Sequence, residues 1–510
     1  MHHLSRQLSD IIQLTELVTP QKLQKLPVLN SKSRSKAQLL YNKITQETFQ
    51  SEEELINTLF EEGPYQKSNY TRIRRELQEK LINMLFLVES NNDSQLDIAQ
   101  AYYICHQHLA AINILQGKGL KNVAISIAEK TFKIAVKFEF TEIVLSLCKI
   151  LRLHYGSIRG NKKQFTFYNK LVKEYSEVYS AELKVEEYFA SLSLHISQSR
   201  SSKGELKEIA KQYGDELEKI ISIYHSYRIN YLAYVVIALR YEIAYDYENT
   251  IKTCDRALLY FSKKKHLATK TSMFSFYFRK VSSQILLGRT LEAENTTETC
   301  LKLIQPGKHN WFLIQEYRYI LFNHSRQFTS TFKVYLEVIT NKKFKKQYAK
   351  IQEAWYVYEA YIYYFYLRKA IKGPLNERLK KFRLNKFLNE VPTYSKDKRG
   401  MNISILILQI LFLLHQEKYG QIIDRTEALR TYTHRYLRRD ETFRSNCFIK
   451  MLMQLPKANF HKAAVIRKTK DLREKLSSVS IRHNQSAEVE AVPYEVLWDF
   501  VLGSLKHKIY

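Results

Sequence analysis

Residues 234–257, YVVIALRYEIAYDYENTIKTCDRA, carry two helical periods back to back. Tyr234, Ile237, Ala238 and Tyr241 recur at steps of three and four, the spacing of one helix face. After a break, Tyr247, Thr250, Cys254 and Ala257 recur in the same way, with small residues where two helices would cross closely. Short helices that each bury only one face gain their stability from a packed neighbour. The stretch therefore reads as one helical hairpin, and the rest of the chain should contain more of them.

The first-helix positions stand where the tetratricopeptide pattern W-x2-L-G-x2-Y puts its residues, and this copy resembles that repeat. Weaker copies align on the small or apolar residue that opens each second helix: Val123, Phe165, Thr250, Ala293, Thr331 and Ile422. With two long gaps taken as double steps, the mean step is about 43 residues, longer than the roughly 34 of the standard repeat. Turns are expected at Gly117–Gly119, Gly156–Asn161, Asp246-Tyr247, Gly288-Arg289 and Glu417–Gly420. The fold expected is all-α, an α-solenoid of tetratricopeptide-like helical hairpins.

Composition agrees with that reading. Only 13 Gly and 8 Pro occur in 510 residues, whereas β folds recruit both at every turn. Cys105, Cys148, Cys254, Cys300 and Cys447 are odd in number and widely spaced, which disfavours a disulfide framework. The longest apolar run, Ile403–Leu414, falls short of the roughly 20 residues that span a bilayer and reads as a buried helix. The beginning of the sequence has no basic start and apolar run of a secretory signal, and a cytoplasmic place without membrane contact is expected.

Four segments are expected: an N-terminal helix and basic connector over 1–36, a helical region over 37–95, the repeat array over 96–483, and a polar connector with a capping helix over 484–510. In the first segment, residues 5–19 read as a short helix ended by Pro20. In the second, Ser51 precedes Glu54 by three, a capping-box spacing, and 68–89 carries Ile73, Leu77, Leu81, Met84, Leu85 and Val88 on one face. The break over Glu61–Lys67 and the cluster Arg72, Arg74 and Arg75 bear a superficial likeness to a helix-turn-helix. That gap is longer than the usual three or four residues of the motif, so the pair reads as the first layer of the array. Pro493 suits the first turn of a last helix with Tyr494, Leu497, Trp498, Val501 and Leu505 on one side.

The order of SKSRSKAQLLYNKI (31–44), KSNYTRIRRELQEKLINMLF (67–86), the repeat array, KFLNEVPTYSKDKRG (386–400) and VPYEVLW (492–498) resembles a family of tetratricopeptide-like helical-repeat proteins from Bacteroidota. The resemblance covers nearly the whole chain. It implies the helical fold and the cytoplasmic compartment, and it implies no activity.

Catalytic and metal patterns are scarce. Cys105 and His108 share a helix face, but no second ligand pair stands at a matching spacing. Gly117-Lys118-Gly119 is too short for a phosphate loop and reads as a hairpin turn. The GxSxG, HExxH and G-x-G-x-x-G patterns are absent from the sequence. No enzyme activity, cofactor or metal is expected.

The formal charge of +29, from 80 Lys plus Arg against 51 Asp plus Glu, favours an anionic partner. Basic clusters flank the aromatic run Trp355–Tyr366: Lys342, Lys343, Lys345 and Lys346 before it, Arg378, Lys380, Lys381 and Arg383 after it, then Lys396, Lys398 and Arg399. Within the run, rings on every side of one helix are expected either to pack in a core or to line a groove, with Tyr358 and Tyr361 as the groove candidates. The function expected is a scaffold or adaptor that binds a protein or peptide partner of acidic character. A nucleic-acid-associated regulatory protein is the alternative.

Overall fold

The computed structural model describes residues 8, 11–12, 15, 35–46, 49, 51–60, 66–85, 97–198, 203–372, 377–389, 401–436, 443–478 and 490–505. Every regular element among them is helical. They divide into two compact units, Met1–Tyr175 and Ser176–Tyr510. This boundary falls inside the expected repeat array, where no break in the sequence marks it.

In the first unit, α1 (Lys36–Thr45), α2 (Glu52–Leu59) and α3 (Gln66–Leu85) enclose one core, with Leu8 and Ile11 buried in it. The Ser51 hydroxyl accepts from Glu54 N–H at 3.2 Å, and Glu52, Glu53 and Glu54 favour the helix's positive end. Tyr70, Ile73, Leu77, Leu81 and Met84 form the buried stripe of α3. The expected break over 61–67 lies largely outside the described residues.

A second core joins α4 (Ile98–Gly117), α5 (Lys121–Lys137), α6 (Thr141–Leu153) and the start of α7 (Lys162–Gln198). Asp97 and Gln100 cap α4 reciprocally, which satisfies two N–H groups that the first helical turn leaves over.

The second unit takes the rest of α7 and then runs through α8 (Lys203–Ile223), α9 (Tyr227–Ile243), α10 (Tyr247–Lys263), α11 (Lys270–Leu286), α12 (Thr290–Leu303), α13 (His309–His324), α14 (Phe328–Ile339) and α15 (Ala349–Leu367). Short α16 (Glu377–Lys380) and α17 (Leu384–Asn389) precede α18 (Met401–His415) and α19 (Tyr419–Tyr436). The chain closes with α20 (Phe443–Leu452), α21 (Gln454–Lys457), α22 (Lys462–Ser478) and α23 (Tyr494–Leu502). From α8 to α15 each helix packs on the next, and α11 also touches α13 directly. The apolar run Ile403–Leu414 fills α18 and is largely buried; among the described residues no helix is long and apolar enough to cross a membrane. All five cysteines are free and buried.

One turn recurs. In the first unit Gly119 and Glu139, and in the second Tyr245, Gly288, Arg326 and Glu417, have φ between +54° and +78°. The N–H of the following residue reaches back to the carbonyl five positions earlier: Asp246 to Tyr241 (2.9 Å), Arg289 to Gln284 (2.8 Å), Gln327 to Phe322 (2.7 Å) and Lys418 to Leu413 (3.0 Å). This is a Schellman closure whose last residue immediately opens the next helix. It allows antiparallel neighbours with almost no loop, which is why the sequence spends so few glycines. The turn expected at Asp246-Tyr247 lies one residue earlier, since Tyr247 already begins α10.

The fourth residue of the following helix is small or apolar and buried at Thr250, Ala293, Thr331 and Ile422. Two anchors need correction. Val123 is 51% exposed, and the buried fourth residue of α5 is its neighbour Ala124. Phe165 is 40% exposed and lies over Gly156, where a Cβ would come within 2.9 Å of its ring. Adjacent apolar residues are equivalent to an alignment, and only the helix phase separates them.

The closing helix was expected to cap the last hairpin. It does contact α20, but its segment also returns to the α13–α14 turn. Asn323 Nδ2 donates to the Ala491 carbonyl (3.0 Å), His324 Nε2–H to the Glu490 carbonyl (2.8 Å), and Arg326 pairs with Asp499 (2.6 Å). Phe500 completes the contact with rings of Phe328 and Phe365, each 5.7 Å away. Pro493 is the N-cap of this helix, not part of its first turn.

Candidate partner-binding cleft

Helices α9, α11 and α13 are the first members of three successive hairpins, and a cleft of about 300 Å³ runs along them. On α11 the lining residues Thr271, Phe274, Ser275, Phe278 and Ser282 follow helical spacing and form one stripe. Asn310, Leu313 and Tyr317 line it from α13, again at steps of three and four, and Tyr231 and Glu242 from α9. The stripe begins one residue inside α11 and α13, at Thr271 and Asn310, so one end of the cleft lies beside the loops that lead into these helices.

Its floor is an ion pair. Arg279 of α11 donates through Nη1 to both oxygens of Glu242 on α9, at 2.9 and 2.7 Å. Burial works against the guanidinium's charge, but the Glu242 carboxylate more than offsets it and holds the pKa above its ordinary value. Phe278 lies 4.7 Å from Tyr317 and 5.5 Å from Phe274, centroid to centroid. Burial pushes the Tyr317 phenol up to about 12, so it remains a neutral hydroxyl. The cleft thus offers aromatic walls, a neutralised ion pair and the Asn310 amide. This is a surface for an apolar side chain and a few hydrogen bonds, with no activated nucleophile or base among the residues that line it.

The residues singled out in the sequence separate into three groups. Lys342, Lys343, Lys345 and Lys346 are exposed, in the loop between α14 and α15, which is pinned by buried Phe344. This loop lies against the one that leads into α13: a Cβ on Gly307 would stand 3.0 Å from the Asn341 side chain and 3.3 Å from that of Lys343, and the rings of His309 and Tyr348 are 5.7 Å apart.

Arg378 is built into the fold, its Nε donating to Tyr335 OH (2.9 Å) and Glu359 (3.2 Å). Lys380 pairs with Glu377, and Lys381 and Arg383 are exposed. Lys396, Lys398 and Arg399 lie outside the described residues.

Tyr358 and Tyr361 are corrected as groove residues. They are 3% and 2% exposed, and the Tyr358 hydroxyl donates inward to Glu316 at 2.6 Å. A helix with rings on every side leaves few faces for water once α14 and α18 pack on it, so the run is core.

Two other concentrations of polar groups were not visible in the sequence. Arg444, 1% exposed, donates to Glu490 (2.6 and 3.2 Å), to Glu495 (2.9 and 2.8 Å) and to the Leu476 carbonyl (2.8 Å). Burial pushes the Glu490 carboxyl up, while Arg444 pulls against that rise. With each guanidinium nitrogen engaged, this is a clasp for the C-terminal segment and not a ligand site.

In the first unit Tyr155 OH donates to Glu129, and that bond, together with burial, raises the phenol's pKa, opposite to what a nucleophile needs. Cys105 is buried with its thiol pushed up to about 11, and His108 Nδ1 is engaged with Thr131 at 2.8 Å. Among the described residues no group of three His, Cys, Asp or Glu side chains is placed to hold a metal.

Phe278, Arg279, Leu313 and Tyr317 were missed because an aromatic stripe at helical spacing reads as core. Only the third helix shows which face stays open. Compared with protein-family models, curated proteins and solved structures, the chain matches none, so its functional reading rests on this cleft and on the fold that forms it.

Proposed function

We propose that the chain is a non-catalytic scaffold or adaptor, an α-solenoid of tetratricopeptide-like hairpins that holds a protein or peptide partner in the α9–α11–α13 cleft. The observation that carries this reading is that the first helices of three successive hairpins line one continuous cleft. Direct contact of α11 with α13, past the intervening α12, supports the stacking of successive hairpins on which it depends. A cytoplasmic place and the likeness to the Bacteroidota helical-repeat family belong to the same proposal.

The test is capture from native extract by the tagged chain, treated with nuclease, beside the Leu313→Arg variant, which would put a charge into the cleft. A defined protein retained by the parent and lost by a variant of unchanged thermal stability supports the adaptor reading. Equal recovery by both chains sinks it. The exposed Lys342–Lys346 loop favours a second reading, a nucleic-acid-associated regulatory protein. Recovery of nucleic acid alone, falling steeply with salt, would promote that one.

A further inference from the structure

We infer that the segment seated in the cleft is acidic, and that the lysine-bearing loops leading into α11, α13 and α15 form one rim that recognises it. The inference rests on the cleft being the partner site.

The first observation is where charge is balanced. Around the cleft, cations on one helix or turn meet carboxylates on another helix: Arg256 with Glu218 (2.7 Å), Lys280 with Asp255 (2.6 Å), Arg289 with Glu248 (2.5 Å) and Arg318 with Glu337 (2.9 Å). The loops leading into the first helices are different. The stretches SKKKHLATK (262–270), QPGKHN (305–310) and TNKKFKKQYAK (340–350) contain no Asp or Glu. Lys263, Lys265, Lys270, Lys308, Lys342 and Lys343 are exposed and take part in no ion pair among the described residues. At the other end of the same hairpins the turn cations Arg289 and Arg326 are each paired, with Glu248 and with Asp499.

The second observation is that the loops adjoin one another and the cleft. Lys343 lies beside Gly307, Tyr348 beside His309, and Thr271 and Asn310, at the heads of α11 and α13, line the same cleft. Helices packed side by side are about 8–10 Å apart, close to the Debye length of roughly 8 Å at physiological ionic strength. Neighbouring loops therefore act together on an anion, and the partly positive N-termini of α11, α13 and α15 add to them. Two first-helix spacings come to roughly 20 Å, the reach of about six extended residues at 3.3 Å each.

An acidic peptide fits both parts. Phe278, Leu313 and Tyr317 take an apolar anchor, Glu242 is neutralised by Arg279 within the cleft, and carboxylates beside the anchor meet the lysines. A nucleic-acid strand would satisfy the rim but has no aliphatic anchor for the cleft, and it is an outcome of the test.

The experiment is fluorescence anisotropy on the full chain. The probe is a labelled short peptide with a glutamate run beside a Leu-x-x-Phe pair; controls are its glutamine counterpart and an oligothymidylate of equal length. The expected result at low salt is an affinity for the glutamate peptide about tenfold or more above that for the glutamine one. That advantage should shrink with salt and disappear when Lys342, Lys343, Lys345 and Lys346 are changed together to Glu. Equal binding of both peptides, each weakened by Leu313→Arg, overturns the rim while leaving the cleft reading in place. No effect of Leu313→Arg on any probe overturns both. An oligothymidylate that binds more tightly and displaces the peptide assigns the rim to nucleic acid and also overturns the inference.

Discussion

Arg279 on α11 grips both carboxylate oxygens of Glu242 on α9, and this pair ties two hairpins together at the floor of the cleft. Both side chains are largely covered, at 22% and 27% exposure, so truncating one leaves the other poorly solvated. Arg279→Met is expected to cost roughly 1–3 kcal/mol in urea unfolding, and Arg279→Lys to recover only part of it, because an ammonium is more strongly hydrated than a guanidinium and loses more on burial. Equal stability of the Met variant and the parent would show that the pair contributes nothing.

Arg444→Leu should be among the most damaging single changes, because it strands the buried Glu490 carboxylate beside an apolar side chain and takes a partner from half-exposed Glu495. The expected loss is about 3–5 kcal/mol. The double change Arg444→Leu with Glu490→Leu should be milder than the single one. Hydrogen exchange provides a second readout: in the single variant, protection in α23 should fall before that in α11.

Acid should weaken the fold through its histidines. Burial first, and then nearby cations (Arg159 for His154, Arg368 for His415), hold these imidazoles below the ordinary value; burial does the same to His324 despite its bond to Glu490. The unfolded chain then takes up protons at about pH 6.5, before the folded one does. This stability is complete above that value and is lost as pH falls through the lowered folded pKa values. Glu490, pushed up by burial, acts in the opposite sense, so the measurement is a difference. The parent should lose more melting temperature between neutral and mildly acidic pH than His324→Gln, and parallel profiles would refute the effect of that imidazole.

Backbone strain in the recurrent turn can be tested in both directions. Glu417 has φ +55° and is exposed, so Glu417→Gly should stabilise the chain by roughly 0.5–1 kcal/mol. Gly288 has φ +72°, and a Cβ there would meet nothing within 4 Å, so Gly288→Ala isolates the backbone term and should cost about 1 kcal/mol. Denaturant midpoints at constant slope would read both changes.

The helical class was legible because 3.6-residue periodicity is local: Tyr234, Ile237, Ala238 and Tyr241 declare a face wherever they are placed. Caps were legible for the same reason, as Ser51 and Glu54 show. Turns were legible where glycine marks the left-handed residue, at Gly119 and Gly288. At Glu139 and Arg326 the same conformation is held by an ordinary residue, and no sequence signal announces it.

The sequence by itself determined an all-helical chain with short turns and a large excess of positive charge, because periodicity, glycine scarcity and composition need no tertiary contact. Only the tertiary structure decided which aromatic stripes are core and which line a cleft: Tyr358 and Tyr361 are enclosed by neighbouring helices, while Phe278 and Tyr317 are left at an opening. It also decided which charges are balanced. Arg444 meets carboxylates 46 and 51 residues away, whereas Lys342 and Lys343 meet none among the described residues. The physical reason is the same in both cases: burial and ion pairing depend on the third body that packs against a helix, and that body is distant in sequence.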